Sequence, residues 1–237
     1  MFLFFGVGAQ AQVEKIQIEN KDYVRLLNGL ATDMSSATSN TYESNPQAAK
    51  VVDGSQFLEE EFQPARILTS DDKILTAKCR YDIYNDEIQV KTKLGDFRSL
   101  SKKKVKAVSI NNDVFVYRKF VNTKKEVSSG YFQVLVSGKA FLYARHYVDV
   151  RQSNDNNHPL LGNKLNNKDV KLHRKKKFFY SFNDKKVYSL NPKKKVVLEI
   201  LKDNKKEIEA LISDLKLRVK KEEDLIKVFN HFNENKT

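Results

Sequence analysis

The chain is poor in the residues that announce chemistry or special architecture. It has one cysteine, Cys79, so no internal disulfide can form and stability must come from packing. Eight glycines and four prolines in 237 residues exclude a collagen-like or low-complexity chain, and 40% hydrophobic residues are enough to fill a core. Past the N-terminus no apolar run approaches the roughly 20 residues that a membrane-spanning helix needs. There is no GxSxG elbow, Walker loop or dinucleotide fingerprint. The histidines His146, His158, His173 and His231 form neither HExxH nor a His-x-His pair. The only loose grouping is His158 with Asp155, plus His173, too sparse for the three or four converging ligands of a zinc site. We therefore expect no catalytic residue, no metal and no cofactor.

What is present begins at the N-terminus. Met1 to Ala11 reads MFLFFGVGAQA, a short apolar run ending in the small-x-small pattern Ala9-Gln10-Ala11. This has the form of the end of a secretory signal peptide, cut between Ala11 and Gln12. No Lys or Arg precedes Glu14, and Phe2 to Gly8 is short, which places the expected true start upstream of Met1. The competing reading is a buried N-terminal strand. Residue 12 is Gln rather than Cys, so lipoprotein anchoring is not expected. The expected location is the periplasm or the outer-membrane periphery.

The formal net charge is +13. Such a charge fits nucleic acid, an anionic envelope surface or a solvated lysine surface. Export argues against nucleic acid. So does the predominance of Lys over Arg, whose planar fork suits phosphate and base recognition.

Along the chain, residues 12–55 are the least readable, with a polar Ser35 to Pro46 stretch of linker character. From about Phe57 the pattern turns to period two. Leu75, Ala77, Cys79, Tyr81 and Ile83 alternate with Thr76, Lys78, Arg80 and Asp82, the pattern of a half-buried strand. A two-residue turn at Asn85-Asp86 would return it through Ile88 and Val90. Further strands are expected at Val105 to Ile110, Val114 to Val121, Tyr131 to Val136, Phe141 to Val150, Lys177 to Phe182 and Lys185 to Leu190. A long loop is expected over Arg151 to Lys168. After Pro192 the period becomes helical. Ile208, Leu211, Ile212 and Leu215 form one stripe, with Asn204 and Glu207 spaced as a capping box. Leu225, Val228, Phe229 and Phe232 form another, with Glu222, Glu223 and Asp224 in its first turn. Val196 to Leu201 fits strand or helix.

The expected fold is α+β and mainly β. It is an antiparallel meander or open barrel-like sheet followed by two C-terminal amphipathic helices. The expected divisions are a signal remnant at 1–11, a poorly ordered segment at 12–55, a β domain at 56–190 and a helical segment at 191–237 packed on the sheet.

Two side-chain groups invite chemistry. Asp82, Asp86 and Glu87 cluster at the first hairpin, where paired carboxylates could do acid–base work, but the pattern assigns them to a polar face and a solvated turn. The other is a basic run, Lys171, Arg174, Lys175, Lys176, Lys177, Lys185, Lys186, Lys193, Lys194 and Lys195, interleaved with Phe178, Phe179, Tyr180 and Phe182. Cations and rings in alternation can grip a polyanion. Alternatively, the rings are core and the lysines flank a hairpin.

The AQAQ signal end, the hairpin Arg80-Tyr81-Asp82 to Asp86-Glu87-Ile88 and the closing Glu222-Glu223-Asp224-Leu225-Ile226-Lys227 resemble exported β-rich proteins of unknown function from Bacteroidetes-type bacteria. The resemblance spans most of 57–237 and implies an envelope location and a β-rich body. It supplies no catalytic residue. The expectation is an exported, non-enzymatic envelope protein, a binding or accessory subunit of an outer-membrane or surface assembly. The alternatives are an electrostatic binder of anionic glycan, lipopolysaccharide or lipid through the basic run, and an enzyme acting on an envelope polymer. Its partner would be an envelope protein or an anionic surface polymer, not nucleic acid. A transmembrane β-barrel is disfavoured by lysines on the strands and by the helical ending.

Overall fold

The computed structural model describes residues 31–32, 52–92, 96–122, 126–152, 170–183 and 186–234. The signal-like segment, the Ser35 to Pro46 stretch, His158, Asp155 and Lys185 lie outside them.

The molecule is mainly β. Ten strands of four or more residues form one largely antiparallel sheet: β3 (Gln63–Thr69), β4 (Ile74–Asp82), β5 (Glu87–Lys91), β6 (Phe97–Leu100), β7 (Val105–Ile110), β8 (Asp113–Val121), β9 (Val127–Val136), β10 (Ala140–Gln152), β11 (Val170–Phe182) and β12 (Val187–Leu190). Two-residue strands β1 (Ala31–Thr32) and β2 (Val52–Asp53) lie against β6 and β11. β3 to β6 pair in chain order, β7 returns to the free side of β3, and β7 to β12 again pair in order. β12 then meets β8 in parallel, so β8 to β12 close a five-stranded ring beside an open sheet.

The turns follow local chemistry. Ile110 pairs with Asp113 across Asn111-Asn112, both at positive φ (47° and 73°), the two-residue hairpin geometry that asparagine tolerates. The first hairpin differs from expectation. Asp82 pairs with Glu87, so the loop has four residues, Ile83 to Asp86, rather than two. The expected long loop also starts later, because β10 continues through Arg151 and Gln152.

Three cores result. Leu75, Cys79 and Tyr81 take the inward register expected of β4 and join Ile67, Val108, Phe115 and Tyr131 on one face of the open sheet. The ring has its own interior. Val116 and Phe120, Phe132, Tyr143, Phe179 and Val187 come from all five ring strands and pack as one cluster. There the rings of Phe120, Phe132 and Phe179 meet edge-on with centroids 5.0–5.3 Å apart, a geometry worth about 0.5–1.5 kcal/mol per pair beyond area burial.

The third core lies between the ring and the helices. Among the described residues the sheet is followed by α1 (Lys194–Ile200), which resolves the ambiguous segment, and then by the two expected amphipathic helices, α2 (Lys205–Asp214) and α3 (Glu222–Glu234). One 3-10 turn, Lys202–Asn204, joins α1 to α2. Ile208, Ile212, Leu225, Val228, Phe229 and Phe232 are buried with Val136, Ala140 and Leu142 of the ring. Asn233 fastens α3 to the start of β10: its Oδ1 accepts the Ala140 N–H at 2.8 Å, and its Nδ2 donates to the Ala140 carbonyl at 2.9 Å. Two expectations fail here. Leu215 ends α2 and is 59% exposed rather than part of the stripe. The Asn204 side chain caps no backbone N–H; its Nδ2 donates to the Glu207 carboxylate instead.

Candidate functional site

β10 and β11 are the longest strands, and they outrun their neighbours. β9 pairs with β10 over Leu142 to Ala144, and β12 pairs with β11 over Phe178 to Tyr180. From Arg145 to Gln152 and Val170 to Lys177 the two strands pair with each other, forming a ribbon that extends past the ring. Alternation gives the ribbon two faces. The outer face, exposed along the ribbon and continuous with Tyr143 and Phe179 inside the ring, carries Arg145, Tyr147, Asp149 and Arg151 opposite Lys177, Lys175, His173 and Lys171. The inner face carries His146, Val148 and Val150 opposite Lys176, Arg174 and Leu172.

This register splits the basic run. Lys171, Lys175 and Lys177 share the outer face with Arg151, which the sequence reading left in a loop. Asp149 receives Lys175 and Arg151, and these cations hold its carboxyl below the usual range. The Lys177 ammonium lies 4.8 Å from the Tyr147 ring centroid. The ring that accompanies these cations is thus Tyr147. Phe179 sits inside the ring, and Phe178, Tyr180 and Phe182 pack towards the helices.

The remaining cations are elsewhere. Arg174 turns inward and donates to the Leu58 carbonyl at 2.7 Å. Lys176 pairs with Glu222 at the start of α3, at 2.6 Å. Lys186 lies over Tyr188, Lys194 pairs with Glu209, and Lys193 and Lys195 are exposed around the start of α1.

The hairpin carboxylates are structural rather than solvated. Asp82 is 1% exposed. It accepts from the backbone N–H groups of Tyr84 and Asn85 and from the side-chain amides of Asn85 and Gln56. Asp86, at φ 55°, accepts from the Tyr81 hydroxyl at 2.6 Å, the Tyr131 N–H at 3.1 Å and Arg145 at 3.4 Å. Burial first, and the Asp86 charge second, raise the Tyr81 phenol well above its ordinary value. Glu87 accepts from the Ser99 hydroxyl. A Cβ at Gly130 would lie 2.7 Å from Arg145 Nε and Asp86 Oδ2, so a larger residue there would push this ion pair aside.

Cys79 is fully buried, and burial pushes its thiol up to about 12, far from the thiolate a nucleophile needs. Among the described residues no three of His, Cys, Asp and Glu converge on a point that would hold a metal ion.

The inner face also holds a cleft that no local pattern marks, because its residues come from seven separate segments. The cleft, of about 240 Å³, crosses the inner face from β4 to β11, lined by Tyr81, Phe115, Glu59 and Glu222 among others, the aromatic pair being fully buried. His146 Nε2 lies 2.7 Å from Gln133 Oε1. Burial, and then the Lys176 charge, hold the His146 imidazole down at about 4, so it is neutral and donates from Nε2. Arg80 is committed to structure, its guanidinium 3.7 Å from the Phe57 ring centroid and 4.5 Å from that of Phe62, with Nε donating to Gln89.

No known protein family, curated protein or solved structure matches the chain.

Proposed function

We propose that this chain is an exported, non-enzymatic binding protein of the cell envelope that attaches to an anionic glycan, lipopolysaccharide or lipid surface. The observation that carries the reading is the β10–β11 ribbon. It extends past the ring and presents Lys171, Lys175, Lys177 and Arg151 on one face, with Asp149 among them and Asp53 of β2 beside Lys171. An extended row of cations beside a tyrosine meets repeated anions without a deep pocket, and its attraction is screened by salt. The apolar stripes of α2 and α3 are spent on the ring, which favours the ribbon over the helices as the docking element. Export rests on the Met1 to Ala11 sequence alone.

The test is fractionation of cells expressing the chain from its native upstream sequence, followed by a high-salt wash of the envelope pellet. The expected result is envelope recovery with release by salt, and loss of retention when Lys171, Lys175 and Lys177 are replaced by Gln. Retention through the wash would favour an accessory subunit held by a protein partner. Cytoplasmic recovery would overturn export and bring nucleic acid forward.

A further inference from the structure

We propose that the loop between α2 and α3, residues 215–221, is a contact site for an anionic lipid bilayer, with Leu215 entering below the headgroups. The loop reads Leu-Lys-Leu-Arg-Val-Lys-Lys, with four cations and no acid between Asp214 and Glu222. Among the described residues, the side chains of Lys216, Arg218, Lys220 and Lys221 are exposed and make no hydrogen bond or ion pair. The loop is held in one shape. Lys216 sits at φ 50°, the left-handed position after a helix where glycine is usual. That turn lets the Leu217 N–H donate to the Ile212 carbonyl at 2.9 Å. Val219 is buried among the helices, and the Arg218 N–H donates to the Asp224 carboxylate at 2.9 Å. With Val219 drawn in and Leu217 half-buried, Leu215 is left 59% exposed beside the cations.

The combination of groups selects the occupant. Cations alone would suit any polyanion. An exposed leucine gains nothing from a phosphorylated or sulfated polymer, but it is stabilised by leaving water for an acyl layer. Lysine and arginine are attracted to an anionic leaflet and keep their charged heads at the headgroups while the leucine enters. The position also suits a surface. α3 runs from Glu222, paired with Lys176 at the base of the ribbon, to Asn233 at Ala140, so the loop lies at the ribbon end of the molecule. The proposal needs neither export nor the ribbon.

The chain has no tryptophan, so Leu215→Trp places a single reporter at an exposed position. The full chain carrying it is titrated with vesicles of phosphatidylcholine and phosphatidylglycerol in equal parts, with phosphatidylcholine vesicles and with dextran sulfate. The expected result is a blue shift of the reporter's emission, and its quenching by brominated acyl chains, with the anionic vesicles alone. Replacing Lys220 and Lys221 by Gln should weaken partitioning about 30-fold, from about fivefold per cation. Leu215→Ser, read by vesicle sedimentation, should weaken it about tenfold. At saturating lipid the shift should persist when Lys171, Lys175 and Lys177 are replaced by Gln, which separates the loop from the ribbon. An unshifted reporter on anionic vesicles would overturn the proposal, and sedimentation of the chain with them would then make the ribbon the lipid contact. An equal shift with dextran sulfate would overturn the bilayer in favour of a soluble polyanion.

Discussion

Asp86 illustrates how much one side chain can hold together. Its carboxylate ties the first hairpin to β9 through the Tyr131 N–H and to β10 through Arg145. Asp86→Ala would strand the buried Tyr81 hydroxyl and leave Arg145 without its counter-charge. We expect a loss of about 2–4 kcal/mol, read from the urea midpoint at unchanged slope. His146 makes a pH-dependent contribution. Its folded-state value is depressed from 6.5 to about 4, so between these values the unfolded chain binds the extra proton. Stability from this group is complete above pH 6.5 and is lost as pH falls towards 4, by up to about 3 kcal/mol. His146→Gln should flatten the decline of melting temperature across that window; an unchanged slope would assign the decline to other groups. Cys79→Ser should cost about 1–3 kcal/mol by burying a hydroxyl without a partner, measured by denaturant titration.

Legibility varied among the elements, for reasons visible in particular residues. β4 was readable because Leu75, Cys79 and Tyr81 are buried against one core while Thr76 and Lys78 are exposed, so period two survives in the sequence. β11 was readable only from Lys177 onward. Val170 and Leu172 are buried, but His173 to Lys177 are exposed on both faces, so this half lacks the sustained apolar alternation that marks a strand. That also hid the site. Nothing in a run of lysines tells which of them share a face until the register with β10 is known. α3 was legible from its stripe, and it carries a prediction. Phe229→Ala should cost about 3–5 kcal/mol and lower the melting temperature of the whole chain. Deletion of residues 203–237 should destabilise the ring as well, because the stripe is packed on Val136 and Leu142. A truncated chain with an unchanged melting curve would contradict that packing.

For the whole molecule, the β-rich class followed from alternation, but the ring did not. Its closure depends on the parallel meeting of β12 with β8 at two residue pairs, Val187 with Phe120 and Tyr188 with Val121. No local pattern encodes a pairing between strands so distant in sequence. The cleft was hidden for the same reason, since it exists only once β4 and β11 lie within reach of each other.

That closure has a consequence for how the chain reaches its native state. β8, β9, β10 and β11 can assemble hairpin by hairpin, but the seam must wait for β12, the last strand to be made. The cost of bringing such remote segments together is met before any contact repays it, so seam closure should be late in folding. Val187→Ala should then accelerate unfolding and leave the refolding rate nearly untouched, whereas a substitution within the Asn111-Asn112 hairpin should slow refolding. Stopped-flow measurement of both rates would show it. Equal effects of the two changes on refolding would mean that the ring closes at the rate-limiting step.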